Sequence, residues 1–344
     1  LISPTLTWET VVAKNLGLDF TILNQKLDVS FDVYTRDTKD MLMNVSYPDI
    51  LGTAAPKSNA ADLRTKGWEL SATWHDKVGT NWNYGLTLAL SDNTSKITRY
   101  LNPTGAIDQY YVGKDIGEIW AYETVGIFQT EADVAASANQ DQLGAAWKAG
   151  DMQYADLNKD DKITPGVRTL NDHGDLRIVG NTTPRYSFGI NGDISYKGIG
   201  LNVFFQGVMK RDYLPDNGNW NAFYPYNDGH LEKYAISESW TETNRDAYFA
   251  APTFGYNTKK NIHPQSRYVQ NASYIRLKNL SVSYQFPVKL IQKVRLNGAQ
   301  IYFAGMNLWE ATKMHKPLDP ESVFTVTQEY YLQRIFTLGV KLNF

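Results

Sequence analysis

The sequence predicts an all-β protein, a transmembrane antiparallel β-barrel that is incomplete and carries long external loops. Three observations predict it. Apolar and polar residues alternate along many segments, as in strands that have one apolar and one polar face. Several segments run to about ten residues, longer than most strands of soluble sheets and long enough to cross a bilayer obliquely. Short and long connections between the segments also alternate.

The predicted strands form hairpins from the N-terminal end of the chain onward. Residues 16–22 and 27–33 alternate on both sides of a tight turn at residues 24–25. The last strand, residues 336–344, has the clearest alternation and ends on an apolar phenylalanine. We count nine strands, whose first apolar-face residues are Leu16, Leu27, Trp68, Trp82, Tyr186, Leu201, Leu280, Ile301 and Phe336.

The connections are of two kinds. Short turns lie near residues 24–25, 77–80, 197–199 and 287–298. The intervening links are long and polar, at residues 41–60, 98–183, 211–265 and 310–328. A membrane barrel has short turns at one rim and long external loops at the other, whereas a soluble sandwich has no reason for this order. The aromatic content of 13% favours β structure. Aromatic residues near the predicted strand ends are expected at the lipid headgroups, and they include Trp68, Trp74, Trp82, Tyr196 and Trp309.

An odd number of strands has a topological consequence. The first and ninth strands of an antiparallel series run in the same direction and cannot pair, and bacterial single-chain barrels have even strand counts. We therefore expect residues 1–344 to be the C-terminal part of a barrel domain whose first strands are absent from this chain. The start, Leu1-Ile2-Ser3-Pro4, has neither an initiator Met nor a signal peptide and agrees with that expectation.

Composition excludes several classes of function. The 34 basic and 36 acidic residues nearly cancel and form no basic block, so the sequence gives no support for nucleic-acid binding. The chain has no cysteine, which excludes disulfides, thiolate metal sites and cysteine nucleophiles. No apolar run reaches the length of about 18 residues that a membrane-spanning helix needs.

Several stretches resemble one family of outer-membrane proteins. Residues 174–189 (GDLRIVGNTTPRYSFG) resemble the start of a strand in SusC/RagA-type TonB-dependent transporters of the Bacteroidota outer membrane. Similar matches occur in the family's order at residues 66–70, 204–207, 271–280, 305–309 and 318–321. The resemblance covers only the C-terminal barrel portion of the family.

The resemblance implies both a fold and an activity. It implies a barrel of about 22 strands plugged by an N-terminal domain, of which nine strands here would leave thirteen elsewhere. The implied activity is the import of oligosaccharides or peptides across the outer membrane, with energy relayed from TonB and a SusD-like lipoprotein as a lid. The plug and its TonB-contacting residues have no counterpart in the sequence, so we assign none.

Residues 156–164 contain the best candidate for a metal site. Asp156, Asn158 and Asp160 place side-chain oxygens at relative positions 1, 3 and 5, and Lys162 offers a backbone carbonyl at position 7. This spacing predicts a structural Ca²⁺ in an external loop. The alternative is a solvated turn rich in Asp and Asn.

The same run departs from the full calcium-loop pattern at two positions. Asp161 stands where glycine is usual, and Val167 stands where a bidentate glutamate is usual. A later carboxylate, Asp172 or Asp175, would have to complete the ligand set. Earlier in this loop, Thr130 is a suitable N-cap, and the sequence predicts a short helix from there toward Trp147.

The loop at residues 211–265 contains the candidate substrate-binding residues. Aromatic faces that can stack on sugar rings or peptides alternate there with amides and carboxylates that can bind hydroxyl or peptide groups. The alternative is that Phe223 and Tyr224 anchor the loop to its neighbours. The predicted contact residues are Asn219, Trp220, Tyr224 and Tyr226.

Catalytic constellations receive little support, and we predict a protein that is not an enzyme. Asp28 and Asp32 share one strand face, but carboxylates of this kind are ordinary lining for a water-filled lumen. The five histidines are scattered and show no metal-ligand spacing. The acidic residues expected to face the lumen favour neutral or cationic cargo over anionic cargo, and they are Asp19, Asp28, Asp32, Glu69 and Asp193.

Two competing functions stay open on the sequence alone. The first is a soluble or surface-attached, calcium-stabilised carbohydrate-binding β protein. The second is a passive porin, which lacks a plug and a lid. The first alternative requires two stacked sheets that bury residues such as Leu88, Leu338 and Val340 between them.

Overall fold

The computed structural model describes residues 6–44, 57–215, 223–224, 233–252, 260–324 and 332–344. Strands dominate this part of the chain, and its helices are α1 (Glu131–Ala136), α2 (Tyr234–Glu238) and α3 (Val288–Ile291), with 3₁₀ turns at Ser266–Tyr268 and Gln292–Val294. The strands are β1 (Thr10–Ile22), β2 (Leu27–Asn44), β3 (Lys57–Val78), β4 (Trp82–Tyr100), β5 (Glu118–Tyr122), β6 (Thr124–Ile127), β7 (Met152–Tyr154), β8 (Leu176–Asn181), β9 (Arg185–Tyr196), β10 (Ile199–Lys210), β11 (Asp212–Tyr213), β12 (Gln270–Asn271), β13 (Tyr274–Gln285), β14 (Gly298–Thr312) and β15 (Ile335–Asn343).

Nine long strands form a single antiparallel sheet in the order β1-β2-β3-β4-β9-β10-β13-β14-β15. Every neighbouring pair is antiparallel, so β1 and β15 run in the same direction, and they form the two edges of the described sheet. The six remaining strands form three small two-stranded sheets in the long connections. The predicted nine-stranded, incomplete barrel fold is therefore confirmed, as is the alternation of short turns with long loops.

The strand register gives the sheet one apolar and one polar face, because successive side chains point to opposite sides of a strand. One cross-strand row on the apolar face consists of Leu18, Phe31, Leu70, Leu90 and Phe188. We call the opposite face of the sheet the polar wall. One cross-strand row on it consists of Asp32, Glu69, Ser91 and Ser187.

No second sheet covers the apolar face in the described part of the chain. Leu338 is 76% exposed and Val340 is 64% exposed, while Leu88 in the middle of the sheet is half-buried. A β-sandwich would bury these residues, so the stacked-sheet alternative is wrong for this fold. Among the described helices, we find none with the length and apolar character needed to span a membrane.

The buried apolar core lies in the long connections. Side chains from residues 107–176, 213–272 and 314–324 pack together into one cluster, which we call the loop core. Its largest members include Tyr122, Tyr154, Phe223, Trp240, Phe249 and Tyr268. The external connections therefore form one packed body at one end of the sheet.

Helix α1 is shorter than the sequence predicts. Thr130 and Asp133 form a reciprocal capping box, as expected for the N-terminal end. The helix ends at Ala136, and Ser137 adopts an extended conformation, so it does not continue to Trp147. None of the α1 side chains is buried, and without an apolar face to pack, a longer helix gains nothing from the loop core.

Candidate functional site

The polar wall contains an open hollow of about 440 Å³ at its centre. Small side chains make the hollow, because Ser71, Ala89 and Gly189 follow one another across three neighbouring strands. Asp32 and Glu69 are direct cross-strand partners on its border. The result is a recess that is bordered by hydroxyl and carboxylate groups and whose floor is made by small side chains.

The acidic residues predicted to share one face do so. Asp32 accepts a hydrogen bond from Asn15 at 2.8 Å, and Asp28 accepts one from Thr21 at 2.6 Å. Asp193 lies beside Gly85, where an added Cβ would come within 2.5 Å of its carboxylate. A glycine is therefore needed there to let the Asp193 side chain lie across the neighbouring strand.

A second group of charged side chains lies where the polar wall meets the loops. Arg276 is 2% exposed and pairs across the sheet with Glu310. Its guanidinium also donates to Asp319 at 2.5 Å and to Glu321. Lys278 donates to Glu321 at 3.1 Å. This mouth cluster of Arg276, Lys278, Glu310, Asp319 and Glu321 fixes residues 313–324 against the wall.

Of the four predicted substrate-contact residues, the structure describes one. Tyr224 is 4% exposed, and its ring packs edge-to-face against Phe223 and Tyr268 at centroid distances of 4.9 and 5.0 Å. This is the anchoring role that we considered as the alternative for Phe223 and Tyr224. Asn219, Trp220 and Tyr226 lie outside the described residues, so contact of these four side chains with cargo stays a prediction.

Burial also sets the chemistry of the loop-core tyrosines. Desolvation raises the pKa of Tyr122 to about 12 and raises the pKa of Tyr224 well above its ordinary value. Both phenols are therefore neutral hydrogen-bonding groups at physiological pH. They cannot supply a negative charge to a ligand or a metal.

The candidate calcium loop is held in shape by its own side chains. Asp156 accepts from the backbone N–H groups of Lys159 and Asp161 at 2.7 and 2.8 Å, and Asp160 accepts from that of Lys162 at 2.9 Å. Asp161 has a φ of 59°, so it adopts the left-handed conformation that glycine usually supplies there. The missing glycine therefore does not prevent the turn.

The two later carboxylates have different surroundings. Asp175 is fully buried, and its two oxygens accept from the backbone N–H groups of Leu157 and Thr164, each at 2.8 Å. It therefore closes the loop at both ends. Asp172 is exposed, as is Val167.

The donor set suits a hard cation only if amide and carbonyl oxygens are included. Asp156, Asn158, Asp160 and the Lys162 carbonyl supply the oxygen types that Ca²⁺ prefers. Within the described residues, no three His, Asp or Glu side chains come together as a metal-ligand group. Bound calcium therefore stays a prediction.

A buried ion pair joins two of the external loops and was not apparent from the sequence. Lys260 is 2% exposed and Asp151 is 0% exposed, and the Lys260 ammonium donates to Asp151 at 2.5 Å. Asn261 donates to the other Asp151 oxygen at 2.9 Å. Nearby, His263 bonds to the Leu143 carbonyl at 2.6 Å, and burial lowers the pKa of this imidazole. The connection between β4 and β9 is therefore held against the one between β10 and β13.

The sequence of this chain is similar to those of known proteins. The sequence model of the family described as TonB dependent receptor-like, beta-barrel matches residues 1–308. TonB-dependent receptor P3 of Formosa agariphila is 26% identical over 98% of this chain and 34% of its own length. TonB-dependent receptor SusC of Bacteroides thetaiotaomicron is 24% identical over 98% of this chain and 32% of its own length.

A solved structure, that of the RagAB peptide transporter, has a similar fold. Its TM-score is 0.73 at 22% identity, over 98% of this chain and 36% of the matched chain. The chain thus spans about a third of the length of the curated relatives it matches. The predicted non-enzymatic role stays a prediction, although these relatives are named as receptors or transporters. Since the family model covers most of the sequence, the chain belongs to the TonB-dependent receptor-like β-barrel family.

Proposed function

We propose that this chain is part of an outer-membrane active importer of oligosaccharides or peptides. The observation that carries the proposal is the nine-stranded sheet with an exposed apolar face and an opposite polar wall. Such a sheet is suited to hydrocarbon on one side and an aqueous lumen on the other. The hollow and the mouth cluster then lie along the route of the cargo.

The charges of the polar wall bear on the class of cargo. Asp32 and Glu69 border the hollow, and Glu69 is exposed. A negative surface repels anions and attracts cations in a site of this kind. Neutral oligosaccharides and neutral or basic peptides are therefore the proposed cargo. We propose that Asn219, Trp220 and Tyr226 bind it at the external side, while the buried Tyr224 anchors this part of the chain to the loop core.

The proposed partners follow from the relatives. One of them is named SusC, and one solved structure is titled as the RagAB peptide transporter. We propose a SusD-like surface lipoprotein as a lid over the loop core. TonB would act through a plug domain outside these residues. Both partners suit an outer membrane of the Bacteroidota type.

Uptake by whole cells tests the proposal. A strain that lacks the gene is complemented with the unaltered protein or with a Trp220→Ala variant, and a matched Trp8→Ala variant is the control. Labelled neutral peptides and oligosaccharides should enter cells that carry the unaltered protein or the Trp8→Ala control, and should enter less in cells that carry Trp220→Ala. Dissipation of the proton-motive force should stop entry. Uptake that survives dissipation would indicate a passive porin.

Fractionation of cells tests the proposed outer-membrane location. The proposed importer should remain with outer membranes and require detergent for extraction. A lipoprotein should co-purify with it. Release of the protein without detergent would contradict the proposed membrane location.

We further propose that the loop of Asp156, Asn158, Asp160 and Lys162 binds a structural Ca²⁺. Calcium would neutralise the carboxylates and reduce the mobility of the surrounding loop. Chelation should increase proteolysis within residues 150–176 of the unaltered protein. An Asp160→Asn variant should be cleaved equally with and without calcium, whereas an Asp141→Asn control should respond to chelation. Unchanged proteolysis of the unaltered protein after chelation would contradict the proposal.

A further inference from the structure

The apolar face of the sheet, which we also call the outward face, has a group of cations on β1 to β4. These cations lie just beyond the apolar rows of that face, which we call the apolar belt. The last apolar row toward the long loops contains Leu16, Val33 and Trp68. The next row on the same face contains Lys14 and Lys66 on either side of Thr35. Further rows on this face add Lys39, Arg64 and Lys96. We call these five cations the basic band, and they are Lys14, Lys39, Arg64, Lys66 and Lys96.

The spacing puts the basic band at the depth of lipid headgroups. Two residues along a strand advance about 7 Å, so Lys14 and Lys66 begin about one row beyond the belt. Side chains of Lys and Arg extend further along the apolar surface and place their charge in the polar layer. The band faces the same side as Leu16 and Trp68, and therefore faces lipid and not the lumen.

Three cations of the band have no anionic partner of their own. Arg64 pairs with Asp37 at 2.6 Å, and Lys96 pairs with Asp115 at 3.4 Å. Among the residues that the structure describes, the exposed ammonium groups of three lysines form no ion pair or hydrogen bond, and these are Lys14, Lys39 and Lys66. Lys14 and Lys39 each lie one cross-strand row from Asp37, the partner of Arg64, so these charges lie close together on one face.

The basic band occupies only part of the sheet. On the outward face of β9 and β14, large uncharged side chains stand toward the long loops, where Tyr186 is 39% exposed and Trp309 is 49% exposed. Uncharged aromatic residues suit the general membrane interface. A concentration of unpaired lysines on β1 to β3 instead favours a specific anionic headgroup.

We propose that the basic band binds the phosphate groups of a phosphorylated glycolipid in the outer leaflet. This inference rests on the outer-membrane location in the proposed function, which places the long-loop side of the sheet at that leaflet. The lysine ammonium groups would contact phosphate oxygens, and the belt residues Leu16 and Trp68 would contact the acyl chains. Because the phosphates lie on a lipid, charge and apolar contact act together, which a free phosphate ion cannot reproduce.

Lipid retention tests the proposal on the intact protein. The protein is reconstituted in phosphatidylcholine nanodiscs that contain diphosphoryl lipid A, returned to detergent, and examined by native mass spectrometry. The test variant is Lys14→Gln/Lys39→Gln/Lys66→Gln. The matched control is Lys77→Gln/Lys289→Gln/Lys293→Gln, which removes three exposed lysines near the short turns.

The unaltered protein and the control should retain lipid A, and the test variant should retain about tenfold less. High salt should weaken retention, and dephosphorylated lipid A should not be retained. Equal retention by the test variant, equal retention of the dephosphorylated lipid, or displacement by inorganic phosphate alone would overturn the proposal.

The same experiment separates this inference from the proposed function. If the protein fails to insert into nanodiscs in every form, the membrane location is wrong, and both proposals fall. If Trp220→Ala abolishes import while lipid retention is unchanged, the residue acts in import alone, and lipid binding by the basic band is independent of cargo binding. Loss of retention in the test variant with normal insertion supports the basic band alone.

Discussion

The nine-stranded sheet and the loop core use apolar side chains in opposite ways. In the sheet, large apolar residues such as Leu338 and Val340 are mostly exposed. In the loop core, Phe223, Phe249 and Tyr268 are 0% exposed. One chain thus contains a face that needs an apolar surrounding and a body that makes its own.

The difference shows which interactions hold each region. The sheet depends on its ladder of backbone hydrogen bonds and on lipid, because no protein layer covers its apolar face in the described residues. The loop core depends on internal burial, as in a soluble domain, and the buried charges of these loops are satisfied within the protein, by an ion pair at Asp151 and by backbone N–H groups at Asp175. The two regions should therefore respond differently to the same kind of substitution.

The largest expected effect is in the loop core. Asp151→Ala leaves the Lys260 ammonium buried without its partner, which should destabilise the external loops by about 3–5 kcal/mol. Hydrogen exchange of residues 101–184 should then accelerate while exchange in β2 and β3 stays unchanged. A double variant, Asp151→Ala/Lys260→Met, should recover most of the protection. Equal acceleration in the sheet would show that the two regions are not separate.

A smaller effect is expected in the sheet, and it depends on the face. Leu88→Lys puts a charge on the apolar side of β4 and should reduce the free energy of unfolding in lipid vesicles by about 2–4 kcal/mol. The adjacent Thr87→Lys puts the same charge on the polar wall and should have little effect. Denaturant unfolding in vesicles measures both. Equal losses for the two variants would contradict the assignment of the faces.

The third prediction concerns pH and the contact between two loops. Burial lowers the folded-state pKa of His263 below its ordinary value of 6.5, so the unfolded state binds the proton more readily. The stabilisation is present above pH 6.5 and is lost as the pH falls below it. Loop stability, followed by hydrogen exchange, should decline over that range in the unaltered protein and change less in His263→Gln. Hydrogen exchange in the nine-stranded sheet should not change with the protonation of His263.

The smallest effect is local to helix α1. Thr130→Ala removes the side-chain acceptor for the Asp133 backbone N–H and should cost about 1 kcal/mol of local stability. Thr130→Ser keeps the acceptor and should be nearly neutral. Hydrogen exchange within residues 131–136 measures the change. A loss that spreads through the loop core would mean that α1 contributes to the packing of that core.

The fold could be predicted from the sequence to a large extent because strand alternation is a local property. The placement of Leu18, Leu70 and Leu90 on the apolar face follows directly from a period of two residues, as does the placement of the acidic residues on the polar wall. The loop core could not be predicted in the same way. Lys260 and Asp151 are far apart in sequence and carry no periodic signal, and helix α1 ends where local propensity would have continued it.

By itself, the sequence determined the number of strands in the main sheet, the identity of their two faces and the alternation of short turns with long loops. Only the tertiary structure decided which charges meet, as in the mouth cluster around Arg276, the Asp151–Lys260 pair and the basic band. The reason is physical. Faces are set by the geometry of each strand alone, whereas contacts between loops and between neighbouring strands depend on register and packing over long sequence distances.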